Sequence, residues 1–276
     1  MSAVDPALER EYNNRARVPE HAAIFERWRL ASARFRAAAD ADLDVRYGSA
    51  DRHRLDLFRA PHARGTVVFI HGGYWRSLDK ADFSFVAAPF VERNLAVAII
   101  NYRLCPGAGV REIIADCHAA LAWLLAKGPR HDMPVDRVAL TGHSADAHLV
   151  SMLYATDWSS QGIDAARIVG GAWLSGVADL EPLLKCSMNE DLRLDTATAR
   201  VVSPVHHRCR LPVPLYLAVG AAESMAFREQ TWHLQRSWPA NCGGVDEVAG
   251  CNHFTIVDDF VRPDSNGFLF LSGLFD

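Results

Sequence analysis

Apolar residues in this chain gather into short, nearly continuous runs at 66–70, 96–100, 138–141, 169–174 and 214–219. Runs of that length without polar alternation read as strands covered on both faces, as in a parallel sheet. Between them the apolar spacing becomes helical, as with Ile113, Cys117, Leu121 and Leu124 within residues 111–127. Alternating strands and helices predict right-handed crossovers and a mostly parallel, doubly wound α/β sheet of about eight strands. Upstream, residues 20–39 read as a helix that Pro19 can open, with Ile24, Trp28, Ala31 and Phe35 on one stripe. Residues 43–47 and 54–58 read as a hairpin in which Leu55 and Leu57 alternate with Arg54 and Asp56, suited to a half-exposed sheet edge. Residues 246–248 form a further short strand and residues 255–260 a helix. Residues 176–211 are less regular and are expected to form a partial cap. With no repeat and no Ser/Gly-rich linker, residues 1–276 are expected to be one domain, with an N-terminal helical segment over 1–42.

Composition narrows the function. The chain is 50% hydrophobic with a net charge of -4, which offers no basic face for nucleic acid or anionic lipid. No stretch approaches the roughly 18 apolar residues that a membrane span needs. The start, Met1-Ser2-Ala3-Val4-Asp5-Pro6, lacks the charged and apolar regions of a signal peptide. Six cysteines, at 105, 117, 186, 209, 242 and 251, include no Cys-x-x-Cys pair. Reduced thiols and a cytoplasmic protein are therefore expected. No His-Glu-x-x-His, Gly-x-Gly-x-x-Gly or P-loop occurs, so neither metal nor nucleotide cofactor is expected. The expected partner is a small molecule, and the N-terminal helix is a candidate homodimer contact.

The chemistry concentrates where strands end. The run at 138–141 leads into Gly142-His143-Ser144-Ala145-Asp146, and a helix-forming segment follows. A tight turn between strand and helix lifts a serine hydroxyl clear of the sheet and makes it a nucleophile. The strand at 66–70 ends in His71-Gly72-Gly73-Tyr74-Trp75. Adjacent glycines leave N–H groups free to approach an oxyanion, and each such donor contributes roughly 3 kcal/mol of transition-state stabilisation. Gly72, Gly73 and Ala145 are the expected donors.

A serine hydroxyl also needs a base oriented by a carboxylate. Glu223 follows the run at 214–219, and His253 precedes the helix at 255–260. The order Ser144, Glu223, His253 is that of α/β-hydrolases, with Asp246 and Glu247 as alternative acids. Tyr74, Trp75, Phe83, Phe85 and Trp158 are candidates to line an aromatic pocket.

His71-Gly-Gly-Tyr-Trp75, Gly142-His-Ser-Ala-Asp-Ala-His-Leu149, Glu223-Ser with Phe227-Arg-Glu-Gln230, and His253-Phe254 together resemble the arylformamidase (kynurenine formamidase) branch of the serine α/β-hydrolases. The resemblance spans residues 45–260, and Tyr12-Asn-Asn-Arg15 is similar to bacterial members. It implies cofactor-free hydrolysis of N-formyl-kynurenine, related aryl formamides or small aryl esters. By that resemblance Ser144 is the nucleophile, Glu223 the acid, His253 the base, and residues 71–75 the oxyanion loop. Two other readings are a general short-chain carboxylesterase and an impaired hydrolase that only binds a small aromatic ligand.

Asp146 departs from the pattern, since a small residue usually stands there. Three expectations attach to it: capping the first helical turn, opposing charge in the oxyanion hole, or meeting a cationic amine on the substrate.

Overall fold

A computed structural model describes residues 3–276. The chain begins with three helices, α1 (Pro6–Tyr12), α2 (Asn14–Arg17) and α3 (His21–Ala38), followed by strands β1 (Ala41–Arg46) and β2 (Arg54–Phe58). Strand β3 (Thr66–Ile70), helix α4 (Ala87–Glu92), strand β4 (Ala96–Ile100), helix α5 (Val110–Lys127), strand β5 (Val138–His143), helix α6 (Ala145–Tyr154) and strand β6 (Ile168–Leu174) come next. The segment 176–211 holds two short helices, α7 (Asn189–Leu192) and α8 (Thr196–Val201). The chain ends with β7 (Leu215–Gly220), α9 (Met225–Ser237), β8 (Val245–Val248), α10 (Thr255–Phe260) and α11 (Asn266–Gly273).

The strands form one sheet of eight in the order β1-β2-β4-β3-β5-β6-β7-β8, parallel from β4 to β8. Its two faces carry separate apolar cores, one around α5, α6 and α9 and the other around α3, α4, α10 and α11. All five residues of β3 and all five of β4 are buried, as their unbroken apolar runs require. This is the doubly wound α/β architecture that the sequence predicts.

β2 departs from its expected place at the edge. It lies between β1 and β4, and Leu55 to Phe58 are all buried. Asp56 is tolerated inside because Lys80 Nζ lies 2.8 Å from its carboxylate and the Asp44 N–H donates to it at 2.8 Å. A buried charge survives only when paired in this way. The same ammonium also meets Asp44 at 2.9 Å, tying the loop that follows β3 to the β1–β2 hairpin.

Register brings the chemistry together. Ile70 on β3 pairs with Gly142 on β5, so His71-Gly72 and His143-Ser144 leave the sheet side by side. His143 pairs with Leu174 on β6, and Gly220 on β7 pairs with Val248 on β8. The loops that follow these strands therefore share the carboxyl edge, where doubly wound sheets bind ligands. At the β5–α6 turn, a Cβ on Gly142 would lie 2.5 Å from the carbonyl oxygen of Asp146, so only glycine lets the helix start this close to its strand. Gly142→Ala should displace α6 and cost about 1–3 kcal/mol of overpacking. The expected loss of Tm, read by calorimetry, is roughly 2–12 °C.

Candidate active site

Ser144 sits at the turn with φ 61° and ψ -127°, a backbone conformation that ordinary residues rarely adopt. Strain of this kind costs on the order of 1–3 kcal/mol and persists only where the surroundings enforce it. Here the Ser144 N–H donates to the Leu174 carbonyl at 2.8 Å, and the Asp146 backbone packs on Gly142. The turn delivers the Ser144 hydroxyl to His253, whose Nε2 lies 2.8 Å from Oγ. The other ring nitrogen, Nδ1, lies 2.6 Å from Glu223 Oε2. All three residues are buried.

Glu223 is held from several sides. Its Oε1 accepts from the Gly220 N–H at 2.8 Å and from the Ser175 hydroxyl, leaving Oε2 to the imidazole. A carboxylate withdrawn from water needs its lone pairs met in this manner. The alternative acids are engaged elsewhere. Asp246 accepts from the Tyr216 hydroxyl and from Asn266 at 2.9 Å, and Glu247 accepts from Trp232 at 2.9 Å and Arg228 at 2.6 Å. The His253 loop is fixed at its base, where the Ala222 N–H donates to the Cys251 carbonyl at 3.0 Å and Asn252 Oδ1 accepts from Phe254 and Thr255 N–H groups. The Phe227 ring closes over the imidazole at a centroid distance of 4.5 Å.

Two contributors escape a reading of the sequence. Ser175, which secures Glu223, directly follows β6, at the same carboxyl edge as the other groups; that position was the available signal. His143 has its Nε2 2.6 Å from the His253 carbonyl oxygen. Burial, and then the neighbouring His253, push His143 well below the ordinary histidine range, so it is a neutral donor. It steadies the backbone that carries the His253 imidazole.

The loop after β3 turns sharply. Gly73 has φ 134°, and a Cβ there would come within 2.2 Å of the Ser77 carbonyl oxygen. Tyr74 and Trp75 follow with φ of 53° and 55°. At Gly72 a Cβ would lie 2.9 Å from His143 Nδ1, so the missing side chain lets this loop close on the β5 turn. Among the described residues, the N–H groups of Gly72, Gly73 and Ala145 donate to no protein acceptor. The Tyr74 hydroxyl donates to the Tyr12 carbonyl at 2.7 Å, which ties the loop to the N-terminal helices.

Ser144, His253, Gly72 and Gly73 line one cleft of about 590 Å3, its open mouth included. Tyr74 and Phe83 line it as the sequence suggests, and Phe25, Trp28 and Phe254 add rings that the sequence reading assigned no such role. Trp75, Phe85 and Trp158 do not line it. Trp75 is fully buried with its ring edge-on to His148, and Trp158 donates to the Leu153 carbonyl at 3.0 Å. Among the described residues, no group of three His, Cys, Asp or Glu side chains could hold a metal ion. All six cysteines are free thiols.

Asp146 also lies outside the cleft. Its side chain is fully buried, and apart from the Tyr102 hydroxyl beside it neither carboxyl oxygen meets a polar group. It faces Tyr102 and Cys117, both of which feel its charge, while the Tyr102 hydroxyl donates to the His71 carbonyl at 3.1 Å. The side chain therefore neither caps a backbone donor nor reaches a substrate amine. Burial pushes this carboxyl well above its ordinary range. A raised folded pKa means the unfolded chain releases the proton first. The fold then loses stability as pH rises from about 4 towards the raised value. Asp146→Ala should raise Tm, by about 2–6 °C at pH 8 and by less at pH 5. A fall in Tm at both pH values in thermal unfolding would contradict an unpartnered carboxyl.

The family model BD-FAE matches residues 55–167. The kynurenine formamidase of Danio rerio is 27% identical over 238 residues, spanning 83% of this chain and 80% of that protein. A candidate thioesterase of known structure from Silicibacter sp. TM1040 is 30% identical, with a TM-score of 0.87 over 96% of this chain and 98% of its own. Esterase B from Lactobacillus rhamnosis, at 22% identity and a TM-score of 0.72, shares the fold over 93% of this chain and 95% of its own. With its eight-stranded, mostly parallel sheet and these relatives, the chain belongs to the α/β-hydrolases, in the branch that resembles the kynurenine formamidases.

Proposed function

We propose that this protein is a cofactor-independent serine hydrolase that cleaves an aryl formamide of the N-formyl-kynurenine type, or a small aryl ester, through an acyl-enzyme on Ser144. The observation that carries this reading is the unbroken hydrogen-bonded chain from Ser144 Oγ through His253 to Glu223, at 2.8 and 2.6 Å.

In this mechanism His253 Nε2 takes the hydroxyl proton as Oγ attacks the carbonyl carbon. Glu223 holds the tautomer with the proton on Nδ1 and stabilises the imidazolium that forms. The N–H groups of Gly72, Gly73 and Ala145 receive the developing oxyanion. Collapse of the tetrahedral adduct expels the arylamine or phenol, which takes the proton from Nε2. Water, activated by the same imidazole, then releases formate or the carboxylic acid and restores Ser144. The aromatic walls, Phe25, Trp28, Phe83 and Phe254, suit a flat leaving group.

Similarity to the Danio rerio kynurenine formamidase favours the formamide. A second reading with the same steps is a general short-chain carboxylesterase. The impaired-hydrolase reading depended on Asp146, whose carboxyl lies outside the cleft. We further propose that residues 1–276 act as one domain, with residues 176–211 as a partial cap. The six free thiols suit a reducing, cytoplasmic setting.

A fluorophosphonate probe is expected to label the folded protein, and Ser144→Ala to abolish labelling. Glu223→Gln should lower kcat by about 10³- to 10⁴-fold, as loss of the orienting carboxylate does elsewhere. Ser175→Ala should lower kcat about tenfold, with KM little changed, because it loosens only the carboxylate. In a kcat/KM panel, N-formyl-kynurenine should match or exceed phenyl acetate and 4-nitrophenyl butyrate. Turnover of the esters alone would favour the carboxylesterase reading.

A further inference from the structure

Asp146 and Tyr102 remain without a part in the chemistry above, although the pair adjoins the peptide that carries Gly72. The His71 carbonyl and the Gly72 N–H are the two ends of one planar peptide group and point in opposite directions. The Tyr102 hydroxyl donates to that carbonyl at 3.1 Å, so it fixes the direction in which the Gly72 N–H points. The hold is firm. Tyr102 is fully buried, its ring stacks on the His71 imidazole at 4.9 Å and 12°, and its own carbonyl accepts from Arg52 Nε at 2.8 Å.

A second acceptor competes for the same hydroxyl proton. The Asp146 carboxyl lies beside the Tyr102 hydroxyl and meets no other polar group. A neutral carboxyl can donate to the phenol oxygen, which leaves the phenol O–H to His71. A carboxylate only accepts and, being charged, attracts the stronger hydrogen bond. The proton on Asp146 thus selects between two arrangements of one hydroxyl.

Of the groups that face this pair, the carboxyl is the first to change charge as pH rises. Burial pushes it well above its ordinary range, but pushes the Tyr102 phenol and the Cys117 thiol of α5 well above theirs too. Burial also lowers His71 to about 4, and on Asp146's own helix it lowers His148 in the same way, so both rings are neutral. The surrounding charges are engaged elsewhere. Arg52 meets Asp79 at 3.2 Å, and Asp116, which also acts on Cys117, meets Arg103 at 2.8 Å and His53 at 3.0 Å.

We infer that Tyr102 and Asp146 are positioning residues for the Gly72 N–H, with the proton on Asp146 deciding whether Tyr102 holds the His71–Gly72 peptide or releases it. In the protonated form, hydrogen bonds run from the Asp146 carboxyl through Tyr102 and the peptide to the oxyanion, each polarising the next. Loss of that proton to solvent turns the Tyr102 hydroxyl to the carboxylate and frees the peptide, so turnover falls as pH rises. Asp146, which stands where a small residue is usual, thereby gives the site an alkaline limit. The inference rests on the reading that Gly72 receives the oxyanion formed when Ser144 is acylated.

The test measures kcat and KM for phenyl acetate with the full-length protein between about pH 6 and about pH 9.5, at a temperature where circular dichroism shows each variant folded throughout. Wild type should lose about tenfold in kcat towards the upper end with KM little changed, because a misaimed oxyanion donor weakens the transition state alone. Asp146→Asn, which cannot ionise, should hold its kcat through that range. Tyr102→Phe should show a kcat about tenfold below that of wild type at the lower end, and no alkaline fall. A second readout needs no turnover. In protein carrying isotope-labelled aspartate and glycine, the Gly72 amide resonance should follow the titration of the Asp146 carboxyl in wild type and in Ser144→Ala, and cease to follow it in Tyr102→Phe. An alkaline fall that persists in Asp146→Asn, an Asp146 carboxyl that keeps its proton throughout, or a Gly72 resonance indifferent to its titration overturns the inference, while ester turnover leaves the serine reading intact. A Gly72 resonance that follows Asp146 in a protein that hydrolyses no ester supports the hold on this peptide and removes the serine reading.

Discussion

The imidazole of His253 is the point on which the site depends. It is buried, and its two nitrogens are committed, one to a hydroxyl at 2.8 Å and the other to a carboxylate at 2.6 Å. These three groups come from loops after β5, β7 and β8, so the contact exists only if the sheet register holds. Glu223 is stable in that setting because the Gly220 N–H and the Ser175 hydroxyl share its charge. A buried carboxylate met by three donors is also preorganised: in the proposed reaction, where the imidazole gains a proton, no dipole has to turn to receive the charge. The strained backbone at Ser144 belongs to the same economy, since a relaxed turn would leave the hydroxyl nearer the sheet.

Much of the cleft is built by residues outside the sheet. The loop after β3 carries positive φ at Gly73, Tyr74, Trp75 and Leu78. Bonds from Tyr12 and Arg15 brace it, and Lys80 anchors its far end to Asp44 and Asp56. The N-terminal helices are thus coupled both to this loop and, through Gln230, to the segment beginning at Ala178, whose N–H donates to Gln230 Oε1 at 2.8 Å. One stretch of chain thus both lines the cleft and supports the loop after β3.

The sheet was legible because buried parallel strands leave unbroken apolar runs, and the strand–turn–helix at Ser144 because that turn imposes glycine at position 142. The same logic misread β2. Its Arg54 and Asp56 look like a wet face, whereas Asp56 is paired with Lys80, a partner remote in sequence. Asp146 was misread for a different reason. Its position in the motif is fixed by sequence, but the direction its side chain leaves α6, here towards Tyr102 and Cys117 and away from the cleft, depends on how that helix sits on β5. Trp75 shows the same ambiguity: adjacent to a ring that lines the cleft, it turns into the core. Ser175 was invisible because a lone polar residue carries no period and no motif, and Asn14, though within Tyr12-Asn-Asn-Arg15, has no partner that its sequence position announces. Only their burial and their partners, or lack of them, give them meaning.

The central claim, that Ser144 is acylated during turnover, is tested most directly by rapid chemical quench with a slowly deacylated aryl ester, followed by peptide mass mapping. The account predicts a burst of about one phenol per protein molecule and a single acyl adduct on the peptide carrying Ser144. Hydrolysis that proceeds with no burst and no adduct, or with the acyl group on another residue, would contradict it.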